Sequence, residues 1–593
     1  MRKLLFTILA AILCAGSVSA QELSAENLDR RRKALTDLLN EHWEYTLRTS
    51  PEFASILNDR RYNDQVSDVS ERGVRADQAQ TKRFLTRFEA IDTLAFSDQE
   101  RLNRDLMIRD LRISLEGAKF NGWQMPVNQM GGIHLFAAQL PSSLQFATVK
   151  DYDDYVVRLR KLPTLLDDTV VNMRKGMAAG LMPPRFLLEK VTGQAQGIAD
   201  TKPEESPFAE PLKNFPETFS EGERQRIRTA VIAAIGRHIL PAYQRFATFV
   251  RDEYAPKGRT EVGVWSLPDG RERYAFQVRN MTTTDMQPEA IHELGLREVA
   301  RIEGEMLQIA QKLGFSDLAS FNKSLETNPA AKPTSGQQIL DLYRKYNDQM
   351  YARLPQLFGR LPKARLEVLP VPEFRAKGAP AASYETGSPD GARAGRVYVN
   401  TSDATSRSLL PTESTAYHEG VPGHHMQLSI QQELTALPPF RQQGGTTAFA
   451  EGWALYSERL GKEVGFYQDP LSDYGRLNDE MLRAIRLVVD TGLHHKRWTR
   501  EQVVQFFRGH SAIDEVEIQS ETDRYIVWPG QALAYKIGQL KILELRDRAQ
   551  KALGAKFDIR AFHDVVLGSG ALPMDELEKS IDKWIATINA RAS

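Results

Sequence analysis

The chain has 593 residues and carries 77 basic and 77 acidic side chains. A balance of that kind gives no electrostatic footing for nucleic acid or an anionic membrane surface as a partner. One cysteine, Cys14, excludes a disulfide framework and a thiolate metal cluster. At roughly 150 residues per domain the length allows three or four domains, or one large helical body.

The first twenty residues read as an export signal. Arg2 and Lys3 make a basic start, Leu4 to Ala15 an apolar stretch too short to span a bilayer, and Val18-Ser19-Ala20 a small-residue cleavage site. Leu13 stands where a lipid-modified cysteine needs a small neighbour, which argues against a lipoprotein anchor at Cys14. Cleavage after Ala20 takes Arg2, Lys3 and Cys14 with it. The mature chain, with a net charge near −2, is expected in the periplasm or secreted, without a later membrane span.

Most of the mature chain reads as helix. Residues 24–48, 76–115, 151–176 and 222–254 are rich in charge, with apolar residues at three- and four-residue spacing. Residues 194–220, rich in Pro, Glu, Gly and Ser, read as a surface loop. Gln287–Leu313 is a further helix, with Pro288 near its start and Gly314 at its end. Strand signals are few: Arg365–Leu369, then Ala382–Glu385 and Arg396–Asn400 joined by the Gly/Pro/Asp-rich turn 386–395. The expected fold is mainly α, with a deep channel and a small β-hairpin or sheet beside the metal helix. A loose boundary near 327–336 divides a helical part, 21–330, from a catalytic part, 331–593.

The chemistry is concentrated in S-T-A-Y-H-E-G-V-P-G-H-H-M-Q, Ser414 to Gln427. A hydrolytic zinc site needs imidazole or carboxylate ligands, one open position for water, and a carboxylate base beside it. The usual helical form, H-E-x-x-H, puts two histidines one turn apart; here Pro422 occupies the second position. Thimet- and angiotensin-converting-type peptidases carry H-E-x-G-H, and the dipeptidyl-peptidase III family a longer, bulged version. Gly423-His424 is similar to that Gly-His pair, looped out by Gly420 and Pro422, since proline cannot donate the helical bond. On this reading His418 and His424 are ligands and Glu419 the base. His425 is the rival second ligand, because a bulge could carry either histidine to the ion.

The following helix, T-A-F-A-E-G-W-A-L-Y-S-E-R-L (447–460), resembles the N-E-G-F-A segment of aminopeptidase-type zinc enzymes. That resemblance implies Glu451 as third ligand and Glu458 as acceptor for the far nitrogen of a ligand histidine. Another His-Glu pair, His292-Glu293, has no partner histidine after it and reads as ordinary helix surface.

These motifs belong to a wider likeness. L-P-A-Y-Q-R-F (240–246), L-P-D-G (267–270), D-G-A-R-A-G-R-V-Y-V-N (390–400), D-T-G-L-H-H-K-R-W-T (490–499) and R-Y-I-V-W-P-G-Q-A-L-A-Y-K-I-G (524–538) join the H-E-x-x-P-G-H-H signature. Across most of 25–590 the chain resembles the bacterial family labelled domain of unknown function 885, a relative of thermolysin-like (gluzincin) zinc peptidases. The resemblance implies one Zn2+ per chain; short peptides are the expected substrate, although the family label names none. From related enzymes it also implies an oxyanion donor on a later helix, Tyr525 or Tyr535 with His494 and His495 behind them. A strand beside the metal helix, Val397, Tyr398, Val399 and Asn400, would pair with the substrate backbone. Arg486 and Asp490, at i,i+4, can form a structural ion pair. A zinc amidohydrolase acting on a non-peptide or cell-wall amide, and a non-catalytic peptide-binding relative, are the alternatives. The mode of attack and the oligomeric state are not encoded in any motif.

Overall fold

The computed structural model describes residues 25–372, 376, 379–387 and 393–591. The expected export signal, residues 1–20, lies outside them, as do residues 388–392 of the expected turn. The fold is mainly α with one small sheet. Contacts group the described residues into two units, up to Thr260 and from Glu261. The division expected near 327–336 falls within the second unit.

The first unit is helical. Its principal helices are α1 (Ala25–Thr49), α2 (Glu71–Glu89), α3 (Asp98–Ala118), α4 (Val149–Ala178), α5 (Arg185–Ala199), α6 (Glu221–Ala234) and α7 (Leu240–Phe249). The single helix expected over 76–115 is two, because Ser97 and Glu100 form a reciprocal cap that starts α3 afresh. The run 222–254 is helical but widens into π turns at Ile235–Ile239 and Val250–Tyr254. Pro241 and Pro256 follow these turns, and neither can donate an i−4 bond. The expected loop 194–220 is partly core: Phe208 and Leu212, on a short helical turn at Pro207–Leu212, pack with Tyr152, Leu159 and Phe246.

The second unit holds α8 (Pro288–Lys312), α9 (Gly336–Tyr351), the sheet, and then α10 (Thr412–Glu419), α11 (His424–Glu433), α12 (Thr447–Glu463), α13 (Pro470–His494), α14 (Glu515–Val527) and α15 (Leu533–Leu553). Strands β1 (Leu366–Pro370), β2 (Ala382–Glu385) and β3 (Gly395–Val399) are ordered β1-β3-β2. β1 runs parallel to β3 with Val368 opposite Val397, and β2 antiparallel with Tyr384 opposite Val397. One sheet face is apolar. Val368, Ala382, Val397 and Val399 bury against Ile339 and Tyr343 of α9 and Ala416 of α10, so the sheet fixes the helix that carries His418.

α12 is fixed from the other side by a glycine contact. A Cβ on Gly452 would stand 2.6 Å from Gly538 Cα, and one on Gly538 would strike the Ala448 carbonyl. Only two glycines let α12 and α15 approach so closely. Glu451, the neighbour of Gly452, takes its position from that contact.

Candidate metal centre

α10 ends at Glu419, and α11 begins at His424. The expected bulged helix is therefore a break between two helices. Gly423 N–H bonds Tyr417 O at 3.0 Å, and a Cβ on Gly423 would collide with the His418 and Tyr417 carbonyls. Outside groups secure the linker. Asn347 Oδ1 accepts from Val421 N–H at 2.9 Å, and Trp453 Nε1 donates to Pro422 O at 2.8 Å.

The break turns His424 toward His418. Their rings meet edge to face with centroids 4.8 Å apart, and both address Glu451: His418 Nε2 lies 3.5 Å and His424 Nε2 3.6 Å from its Oε2. One ligand atom from each of the three lies within 4.8 Å of the others. On the far side of its ring His418 Nδ1 meets Glu458 Oε1 at 2.8 Å. The Glu458 carboxylate accepts a hydrogen bond from Nδ1–H, so that once the ring gives up its second proton the Nε2 lone pair faces the cluster. The Glu451 side chain keeps 21% exposure, so the group is reachable from solvent.

The electrostatics of this cluster favour a cation. Burial opposes a charge on His418, yet the carboxylates of Glu451, Glu458 and Glu419 outweigh it and push the ring up to about 10. Burial works against ionised Glu451 as well, and the two histidines more than reverse that, holding its carboxyl well below the usual range. A proton shared among one ring and three acids is a charge that a divalent ion can replace.

Glu419, adjacent to His418 in the chain, has no hydrogen-bond or ion-pair partner among the described residues. His425 faces the other way. Its Nδ1 sits 3.0 Å from the Tyr384 hydroxyl on β2, and burial pulls it down to about 4, a neutral ring packed against the sheet.

Several other candidates are placed elsewhere. Tyr525 is fully buried, its hydroxyl donating to Glu521 and accepting from Arg486 Nε at 3.0 Å. Tyr535 is partly exposed; its hydroxyl accepts from Arg524 Nη2 at 3.1 Å. His494 is consumed by the backbone, Nδ1 accepting from Val264 N–H at 3.0 Å and Nε2 meeting Tyr525 O at 2.9 Å. His495 pairs with Glu289 at 3.2 Å. Arg486 and Asp490 do not pair with each other. The Asp490 carboxylate accepts from the Tyr274 hydroxyl and Gly530 N–H, while Arg486 binds Glu521 at 2.8 Å.

The expected substrate strand is corrected. β3 is the central strand, with β1 and β2 on its two sides, so the backbone of Val397, Tyr398 and Val399 has no free edge for a peptide. Val397 and Val399 point into the core. Asn400 is buried as a turn residue, donating to Ala376 O at 2.7 Å and Ala379 O at 3.0 Å.

One residue beside the cluster escaped sequence reasoning. Arg483 on α13 places Nη2 3.9 Å from Glu458 Oε1 and Nη1 3.4 Å from Asp479 Oδ1, and Ser414 Oγ of α10 donates to Asp479 at 2.5 Å. It backs the carboxylate that orients His418. No motif marks it, because Glu458, the carboxylate it backs, comes from another helix.

Two solved structures resemble the chain over nearly its whole length. One, from Colwellia psychrerythraea and provisionally named a lipoprotein, is 29% identical with a TM-score of 0.89, covering 94% of this chain and 100% of that one. The other, from Shewanella oneidensis, provisionally named a lipoprotein of unknown function, is 17% identical with a TM-score of 0.71, over 92% and 99%; it shares the fold. No curated protein matches the chain. Over residues 51–581 the sequence matches the family described as bacterial protein of unknown function (DUF885), and with that span it belongs to this family.

Proposed function

We propose that the protein is an exported, thermolysin-like zinc peptidase of short peptides, with His418, His424 and Glu451 as ligands and Glu419 as general base. The observation that carries this reading is the approach of two imidazole nitrogens to one carboxylate oxygen at 3.5 and 3.6 Å. Zinc bonds of about 2.0–2.1 Å in a tetrahedron space their donors by roughly 3.3 Å, and His2Glu with an open position is a hydrolytic donor set. When bound, the ion would supply Lewis acidity to a water and to the scissile carbonyl.

The chain's own residues do the rest. Glu458 fixes the tautomer and orientation of His418. Glu419, unpaired among the described residues, takes the proton of the attacking water and passes it to the leaving amine. Tyr535 accepts from Arg524 and so keeps its own hydroxyl hydrogen for the oxyanion; Tyr525 has given its hydrogen to Glu521 and is structural. The sequence at 1–20 and the names of the two structural relatives support export.

Metal analysis tests the ligand set. Purified protein should hold about one zinc per chain, lost in His418→Ala, His424→Ala and Glu451→Ala and kept in His425→Ala. Zinc kept by His424→Ala and lost by His425→Ala contradicts it.

A further inference from the structure

Behind the metal cluster, α13, α14 and α15 bring guanidinium groups together around one tyrosine. Arg486 Nη2 and Arg524 Nη1 both bind Glu521, at 2.8 and 3.1 Å. Both also pack over the Tyr535 ring, at 4.5 and 5.9 Å from its centre. Arg524 Nη2 reaches the Tyr535 hydroxyl at 3.1 Å and Gln531 Oε1 at 2.9 Å. Arg483, one turn before Arg486, ties the group to the metal cluster through Glu458, which holds His418.

Arg483 is paired with Glu458 and Asp479, and the carboxyl of Glu517 lies close to Glu521. Arg486 and Arg524 share the carboxylate of Glu521, which Tyr525 also uses. Asp490, one turn beyond Arg486, is occupied by Tyr274 and Gly530. Three buried donors, Arg483 Nε, Arg486 Nη1 and Arg524 Nε, have no acceptor among the described residues. Arg486 is only 5% exposed, and buried donors of this kind are normally satisfied. A planar guanidinium fork matches a carboxylate bidentately.

We propose that Arg486 and Arg524, beside Tyr535, bind the free α-carboxylate at the C terminus of the substrate peptide, so that the enzyme removes residues from that end. This rests on the peptidase reading for its catalytic consequence. A carboxylate on the arginines places the scissile carbonyl one or two residues away, at about 3.3–3.6 Å per residue, near Tyr535. One water is consumed and one C–N bond breaks. The water oxygen goes to the new carboxylate, a proton goes to the leaving amine, and the released amino acid or dipeptide departs with the carboxylate that the arginines held.

The test uses a probe with no scissile bond. Calorimetric titration of the purified mature protein with 3-phenylpropionate and with 3-phenylpropionamide should show the acid binding at least ~10-fold tighter, as expected for charge-assisted bonds. Arg524→Gln should bring the acid down to the affinity of the amide, and Arg524→Lys should restore part of the difference. Arg524 is chosen because it is less buried than Arg486, and circular dichroism of each variant confirms the fold. Equal affinity for acid and amide, no binding of the acid, or acid binding unchanged in Arg524→Gln (a carboxylate taken by the metal) overturns the proposal. A digest of paired C-terminal acid and amide peptides separates the two readings. Equal turnover of both overturns the arginine site and leaves the peptidase standing; acid-selective binding with no turnover does the reverse.

Discussion

His292-Glu293 and His418-Glu419 are the same dipeptide on helices of the same unit, and their surroundings differ in sign. His292 sits inside the long helix α8, its Nδ1 2.8 Å from Thr491 Oγ1 and its ring edge-on to Trp498. Burial, with Lys496 nearby, holds it below its ordinary pKa, and Glu293 points to solvent. It is buried, where the sequence suggested helix surface, but it is a packed histidine without a carboxylate cluster. His418 is buried too, yet Glu451, Glu458 and Glu419 reverse the effect of burial and push it up to about 10. The dipeptide carries no site by itself. What makes one is the break after Glu419, which returns His424, and the glycine contact that sets Glu451 on α12.

That contrast can be tested at three strengths. The largest effect is expected at the carboxylate behind the ring. Glu458→Gln should weaken zinc binding by about 10–100-fold, the usual cost of losing such a partner, measured by competition with a chromophoric chelator. An unchanged affinity would mean that Glu458 does not orient His418.

The next effect is one of pH. A ring with a folded-state pKa of about 10 must lose its proton to bind metal, so zinc affinity should fall about tenfold as pH drops from 7.5 to 6.5. A flat profile contradicts the cation-seeking cluster. The same shift has a defined sign for metal-free stability. Because the folded pKa lies above the free value of 6.5, its contribution is complete below about pH 6.5 and is lost as pH rises through about 10. Metal-free protein should therefore melt lower at pH 9.5 than at pH 7 on this account.

The smallest effect on the metal is expected at the other histidine. His292→Gln should leave zinc content untouched and cost on the order of 1–3 kcal/mol through its buried contact, read from denaturant melts. Loss of zinc in that variant would erase the distinction between the two dipeptides.

Local features of the fold were legible in the sequence because short-range patterns encode them. Periodicity found the long helices, Pro288 marked the start of α8, and the β-branched run with its Gly/Pro turn found β2 and β3. The candidate metal residues were legible by chemistry and by likeness: His418, His424 and Glu451 do converge, and Glu458 stands behind His418. Strand order was not legible. Whether β3 lies at an edge depends on where β1 pairs, which no local pattern states. The tyrosines were equally open, since burial and hydroxyl partners, which separate Tyr525 from Tyr535, come from the packing of the helices. Arg483 and Asn347 act on the site from helices far away in the chain, and single-sequence motifs contain no trace of such contacts.

The central claim is that Glu419 does chemistry while Glu451 holds metal, and one paired measurement addresses it. Zinc content and peptide turnover are determined for wild type, Glu419→Gln and Glu451→Gln with a peptide pool that the wild type cleaves. Glutamine keeps the shape of Glu419 but cannot accept the water proton, so Glu419→Gln should retain its zinc and lose at least ~100-fold in turnover, within the range of general-base catalysis. Glu451→Gln should lose zinc and turnover together. A Glu419→Gln protein that sheds its zinc, or that turns over peptides near the wild-type rate, would contradict the assignment of Glu419 as the base.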